Sequence, residues 1–545
     1  MDTIGRYLLQ RLSEAGVEHV FGVPGDYILR FYDELTRGPL KHIGATREDT
    51  AAFAADGYAR ARGLSALAVT YGVGALNVVN AVAGAFAESS PVVVISGAPG
   101  VKEQRDNPLL HHRFGPFNFQ REIFQRITCA QAVLDDPYTA FREIDRTLDA
   151  ARHESRPVYL ELPRDMVAAG GHPVPYTPWA PAGSDADALN EAVAETVEQL
   201  ERARTPLILA GQELHRRGLQ AELSALVGRL QAPLAATLTG KSVFPERHPA
   251  YLGVYEGAMC APSVRERVEQ ADLLLMLGAT LNDVDLGIYT ARLDPGRTVR
   301  ASGPEVFIRH HRFAPVTLRD FVTALARAAR PHAAGLSVTA PLADTEPFPQ
   351  HGRPLSVARL IERLNAALTQ EMAVVADTGD CLFAALDLRV HENAEFFASA
   401  FYTTMGFAVP AALGVKVALP ARRALVLVGD GAFQMTGTEL STHARLGLDT
   451  VTIVFNNRGY ATERLILDGA FNDIASWRFE KLGELISPLA GYAAQTEEAF
   501  EAALIAALAQ RDRPSIINAM LPPDDASPAM RRLSENLRAR VAGKK

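Results

Sequence analysis

The passage LVLVGDGAFQMTGTELSTHARLGLDTVTIVFNNRGY, Leu425 to Tyr460, reads as a strand, a helix and a second strand. The apolar run LVLV ends at Gly429-Asp430-Gly431, and the run VTIVF ends at Asn456-Asn457. A strand–helix–strand unit makes the two strands parallel neighbours, so Asp430 and Asn457 emerge at the same sheet edge. A carboxylate, an amide oxygen and a nearby backbone carbonyl are hard oxygen ligands suited to Mg²⁺. The glycines let backbone N–H groups at the helix start approach a phosphate. Taken singly, GDG is an ordinary turn and NN an ordinary strand end. The combined spacing, 29 residues from Gly429 to Asn457 within one βαβ unit, is far more specific.

The same alternation runs through the whole chain. ALAVTYG, PVVVISG, TPLILAG, ADLLLMLG, MAVVADTG and RALVLVGD are short apolar runs separated by helical patterns. Such runs indicate parallel strands covered on both faces. Two stretches without apolar periodicity, Ala168–Asp187 and Arg330–Pro354, carry several prolines and read as linkers. The expected fold is therefore α/β, with three doubly wound parallel-sheet domains over residues 1–170, 186–333 and 355–545.

The chain has 545 residues, 48% hydrophobic and 22% charged, which fits a globular protein. A formal charge of −8 argues against an electrostatic grip on nucleic acid or an anionic membrane surface. No apolar run reaches the roughly 18 residues a spanning helix needs. Cys129, Cys260 and Cys381 lie far apart, without the spacing of a zinc cluster or a disulfide framework, as expected for a cytoplasmic protein.

Two smaller signals compete for a role. HHRFGP (His111–Pro116) and HHRFAP (His310–Pro315) offer paired histidines, natural acid/base or metal-binding groups. The first pair follows the strand PVVVISG at the end where open α/β sheets bind ligands, and the second sits at the tail of the middle block. GVGALN (Gly72–Asn77) has Asn77 where a dinucleotide motif needs its third glycine, so a tight strand-to-helix turn is the better reading.

The GDG and NN passage resembles the thiamine diphosphate motif. The resemblance extends over essentially the whole chain, to the pyrimidine-binding, middle and diphosphate-binding domains of thiamine diphosphate-dependent 2-oxo acid decarboxylases. It implies that Asp430, Asn457 and the carbonyl of Gly459 hold Mg²⁺ against the cofactor's diphosphate. It also assigns Thr70, Asp380, Gly431 and Ala432 to the cofactor's cradle. Glu48, in ATREDTAAFAADGYARARG, matches the glutamate that hydrogen-bonds the aminopyrimidine. YTTMGFAVPAALG places Met405 under the cofactor, with the backbones of Thr403 and Met405 gripping the pyrimidine. Asp26 in VFGVPGDY, His111-His112 and Glu463 in NNRGYATERLI match the set that distinguishes pyruvate, indolepyruvate and phenylpyruvate decarboxylases from acetolactate synthases. By this resemblance Asp26, His111, His112 and Glu463 share the proton transfers, and His310-His311 take no part.

The wording is nearest to that of phenylpyruvate decarboxylases. Val284 and Leu382 stand where pyruvate-specific relatives place large aromatics, and Thr462 replaces an isoleucine; with Ile466 these are the expected pocket positions. Each smaller side chain enlarges the pocket, pointing to aromatic or long aliphatic 2-oxo acids. The expected product is an aldehyde with CO₂. The alternatives are a carboligase of the acetolactate synthase type and an inactive cofactor-binding regulatory subunit. The resemblance further implies a homo-oligomer, a dimer or a homotetramer built as a dimer of dimers, because Glu48 and Asp430 would meet one cofactor from different subunits.

Overall fold

The computed structural model describes residues 2–179, 183–332, 350–390 and 394–542, with side chains described to 539. Three sheets account for its strands. The first takes β1 (His19–Gly22), β2 (Lys41–Gly44), β3 (Ser65–Val69), β4 (Val92–Ala98), β5 (Ala130–Val133) and β6 (Val158–Pro163), ordered β2-β1-β3-β4-β6-β5 and parallel throughout. All residues of β3, β4 and β6 are buried, as strands covered on both faces must be.

The middle sheet contains β7 (Pro206–Ala210), β8 (Leu234–Ala236), β9 (Tyr251–Val254), β10 (Leu273–Leu277), β11 (Thr298–Ser302), β12 (Glu305–Ile308) and β13 (His311–Phe313). Its order is β13-β12-β11-β10-β7-β8-β9. Here the wholly parallel expectation needs one amendment, since β12 and β13 run antiparallel. The two-residue turn Gly303-Pro304 leaves no room for a crossover helix, so β12 folds straight back on β11. His310 and His311 lie exposed at this outer edge, where His311 contacts Glu195 at 3.0 Å.

The third sheet holds β14 (Met372–Ala376), β15 (Glu395–Ala398), β16 (Arg423–Gly429), β17 (Val451–Asn456), β18 (Ala490–Ala494) and β19 (Ser515–Met520), ordered β15-β14-β16-β17-β19-β18 and all parallel. The helix Pro528–Ala542 packs Ala529, Met530 and Leu533 into this domain's core. The first linker expectation falls partly, and the second mostly, outside the described residues. Among the described residues no helix is long and apolar enough to cross a membrane.

The first and third domains share one core along the helices Glu48–Arg62 and Ala408–Ala418. These cross with backbones in near contact: a Cβ on Gly57 would overlap the Ala411 carbonyl, and one on Gly414 the Ala54 carbonyl. Gly414→Ala is therefore expected to force the helices apart and cost about 1–3 kcal/mol by overpacking. A lowered thermal unfolding midpoint, read by calorimetry, checks this.

Across the same interface lies a buried charge network. Arg60 binds Asp56 at 2.8 Å, Glu88 at 2.7 Å and the carbonyl of Ala398 at 2.8 Å. Glu88 in turn accepts from the Ser399 hydroxyl and from the N–H groups of Phe401 and Tyr402. A buried arginine is tolerable only with such complete pairing. The consequence is functional, because residues 399–402 lead directly into Thr403 and Met405.

Candidate active site

Strand β16 ends at Gly429, and Asp430 opens the helix Asp430–Thr436. Strand β17 runs beside it and delivers Asn457 one residue past its end. Asp430 is 2% exposed and accepts from the N–H of Gly431 at 2.8 Å, Arg458 at 2.6 Å and Gly459 at 3.2 Å. Burial pushes its carboxyl up to about 6, against the pull of those N–H donors. Asn457 is 5% exposed and its Oδ1 has no hydrogen-bond partner. A buried amide oxygen left unpaired costs about 1–3 kcal/mol unless something else occupies it. An anionic oxygen pair beside an orphaned neutral oxygen is the donor set a hard divalent cation takes, so the residues present fit Mg²⁺. Gly431 is required here because a Cβ would strike the ring of Tyr460.

Asp380, at the start of the helix Asp380–Ala384, follows Gly379, whose φ of 125° suits glycine and whose Cα faces open space. One Asp380 oxygen accepts from Ser527 N–H at 2.8 Å and the other, Oδ1, is buried without a partner. Burial pushes this carboxyl up to about 6 as well. Asp430, Asn457 and Asp380 thus emerge at the carboxyl ends of adjacent strands, at the edge where a diphosphate can lie. Gly431 and buried Ala432 complete the cradle's start.

The loop before Ala408 is held from β14. Asp377 accepts from Gly406 N–H at 2.9 Å and Ala408 N–H at 2.7 Å, and Thr378 donates to the carbonyl of Thr404 at 3.2 Å. Thr403 sits at φ 54°, a left-handed conformation that a threonine keeps only when its surroundings impose it. Met405 is partly buried against the shared core. This loop is a rigid shelf with backbone groups set at its tip.

The first domain supplies the other group. Asp26 follows β1, and His111 and His112 follow β4, with β3 between the two strands. His111 Nε2 meets Asp26 Oδ2 at 2.8 Å, and the two imidazole rings are centred 4.7 Å apart. Ligand atoms of Asp26, His111 and His112 all lie within 4.8 Å of one another, and of these groups Asp26 and His111 are in hydrogen-bond contact. Tyr27 stacks on His111, while Arg164 lies 4.0 Å from Asp26 and pairs with Glu103. His112 takes φ 68°, and its carbonyl packs so close to Gly72 that a Cβ there would clash. Glu48 begins its helix, half-buried, with Oε2 accepting from Asn77 Nδ2 at 2.8 Å. Thr70, nearby, keeps its Oγ1 buried and unpaired.

Among the described residues, no hydrogen bond or ion pair joins Asp26, Glu48, His111 or His112 to Asp380, Asp430 or Asn457. Glu463, on the helix Ala461–Ile466, is exposed, Thr462 is half-buried and Ile466 is 79% exposed. Val284 is half-buried. Leu382 is fully buried in the third domain's core, with Leu425 and Leu427 of β16 in the same cluster. Residues the sequence reading passed over are Asn77, Glu88, Arg60, Asp377 and Arg164. Only Asp377 carried a signal, as an acid directly after a strand.

Comparison with known proteins gives matches to the thiamine pyrophosphate enzyme N-terminal TPP binding domain over residues 2–125, the central domain over 193–316 and the C-terminal TPP binding domain over 377–519. Indole-3-pyruvate decarboxylase of Azospirillum brasilense is 39% identical over 530 residues, covering 94% of each chain. Alpha-keto-acid decarboxylase of Mycobacterium ulcerans is 37% identical, covering 98% of this chain and 96% of its own. The solved 4-hydroxybenzoylformate decarboxylase of Rhodococcus jostii shares the fold with a TM-score of 0.78 at 22% identity, covering 96% of this chain and 99% of its own. With a cradle that fits a diphosphate and its metal, and relatives of this similarity along almost the full length, the chain belongs to the thiamine diphosphate-dependent 2-oxo acid decarboxylases.

Proposed function

We propose that this enzyme decarboxylates aromatic or long aliphatic 2-oxo acids, such as phenylpyruvate or indolepyruvate, to the aldehyde and CO₂ with Mg²⁺ as the second cofactor. What supports the preference is Val284 and Thr462, half-buried side chains smaller than those that pyruvate-specific relatives place at these positions. The name of the Azospirillum relative points the same way.

Bound thiamine diphosphate supplies the electron sink that lets the substrate carboxylate leave as CO₂. Asp430 and Asn457, with the carbonyl of Gly459, would hold the metal, while Thr70, Asp380, Gly431 and Ala432 would flank the diphosphate. Thr403 and Met405 would fix the pyrimidine, and Glu48 would hold and exchange a proton at its N1′ nitrogen. Asp26 and His111, hydrogen-bonded to each other, with His112 beside them, would move protons at the substrate's oxygen. Glu463, exposed on the helix beyond Asn457, would supply a proton to the substrate's carbon. Positioned acids and bases of this kind are each worth about 10²- to 10⁴-fold in rate.

Among the described residues no hydrogen bond or ion pair joins the two sets on one chain, which is consistent with a homo-oligomer, dimer or tetramer, in which Glu48 of one copy meets Asp430 of another. The three free cysteines are consistent with a cytoplasmic setting.

The test is a comparison of kcat/KM for pyruvate, phenylpyruvate, indolepyruvate, benzoylformate and a branched-chain 2-oxo acid. The larger substrates are expected to exceed pyruvate by about 10-fold or more, the scale on which a hydrophobic pocket separates side chains. Pyruvate being fastest would sink the reading.

A further inference from the structure

Glu48 can exchange a proton with the cofactor only if one of its oxygens is turned towards it and kept there. The side chain has three torsions' worth of freedom when unheld, yet here it has a fixed neighbour. Gly72, at φ 67°, turns the chain sharply out of β3 into the short helix Val73–Asn77, and Asn77 closes that helix facing Glu48. Asn77 Nδ2 lies 2.8 Å from Glu48 Oε2, and Asn77 Oδ1 lies 3.3 Å from Arg47 Nη2. A guanidinium can only donate, so Arg47 fixes which way round the amide stands. The amide must then present its N–H to the carboxylate. Glu48 Oε1 is left over, beside Gly74, where a Cβ would come within 3.6 Å of it.

We propose that Asn77 is a positioning residue for the reaction: it holds Glu48 Oε2 and so makes Oε1 the oxygen that exchanges a proton with the pyrimidine. This rests on the reading of Glu48 as the pyrimidine's partner. The charged and titratable groups around the pair are Arg47 and Asp49 on the helix Glu48–Arg62 and its cap, and the Tyr32 hydroxyl, which donates to the carbonyl of Ala68. None of these donates to Glu48 in place of Asn77. GVGALN therefore spends its last position on catalytic geometry, where a dinucleotide site would have had a glycine.

The test compares Asn77→Ala, the isosteric Asn77→Asp, and Glu48→Gln in the full-length enzyme. Loss of a hydrogen bond to a charged group is expected to lower kcat about 10- to 100-fold for Asn77→Ala, with KM for the 2-oxo acid unchanged. Calorimetric affinity of the cofactor-free enzyme for thiamine diphosphate should weaken about 3- to 10-fold. Asn77→Asp keeps the shape, loses the donor and adds a like charge, which favours the protonated pair. Its rate should fall at least as far, and the acid limb of its kcat/KM profile should move to higher pH. A packing role predicts instead that the isosteric variant behaves as the parent. Parental rate, profile and cofactor affinity for Asn77→Asp, alongside an inactive Glu48→Gln, would overturn the inference and leave the role of Glu48 standing. Parental activity in Glu48→Gln would overturn both.

Discussion

Glu48→Gln is expected to lower the decarboxylation rate about 10²- to 10⁴-fold while leaving the fold intact. Glutamine has the length of glutamate, and its carbonyl oxygen can still accept from Asn77 Nδ2, now 2.8 Å from Glu48 Oε2. The helix Glu48–Arg62 keeps its core contacts, because Ala51, Phe53, Ala54, Ala55 and Tyr58 carry them. What the amide cannot do is give and take a proton at the cofactor's ring. Single-turnover release of CO₂ and an unchanged thermal midpoint read the two sides of this expectation. A variant that turns over at the parental rate would remove Glu48 from the chemistry.

The second large effect is at Asp430. Asp430→Asn retains one acceptor but loses the charge, and its new N–H groups face the donors of Gly431, Arg458 or Gly459. Loss of even the partners of a metal ligand typically costs 10- to 100-fold in metal affinity, so loss of the ligand itself should exceed about 100-fold. Magnesium titration of the cofactor-loaded protein by calorimetry measures it, and activity should return only at high Mg²⁺. Asp430→Ala goes further, stranding three N–H groups at a cost of about 1–3 kcal/mol each for those kept from water. That variant should unfold at a lower temperature, and excess metal should not restore its activity. Chelation of the parent enzyme is the complementary check, expected to abolish turnover and lower the thermal midpoint, since a ligand that binds only the native state stabilises it. Full activity after exhaustive chelation would contradict the metal site.

Much of this was open to reading because it depends on neighbours along the chain. Asp430 and Asn457 terminate adjacent strands of one βαβ unit, so their proximity follows from the handedness and parallel pairing of that unit. Asn77 is the contrary case. Its partner Glu48 is 29 residues away on another helix, and Arg47 sets the amide's orientation only once both helices are placed. Leu382 shows a different limit. On the five-residue helix Asp380–Ala384 an apolar periodicity cannot develop, so which face met the core was undetermined until the helix packed on β14 and β16. The edge strand β12 turned back on β11 at the tight Gly303-Pro304 corner, within a strand-like passage whose direction only pairing fixes.

The sequence by itself determined the three α/β blocks and the adjacency of Asp430 and Asn457, because strand periodicity and short-range spacing are local properties of the chain, while the cofactor class followed from the resemblance of its motifs to a known family. Only the tertiary structure decided that His111 would lean on Asp26, that Arg60 and Glu88 would brace the loop before Met405, and that Asn77 would hold Glu48. Those contacts join segments tens to hundreds of residues apart, and their energies depend on burial and orientation that no stretch of sequence carries alone.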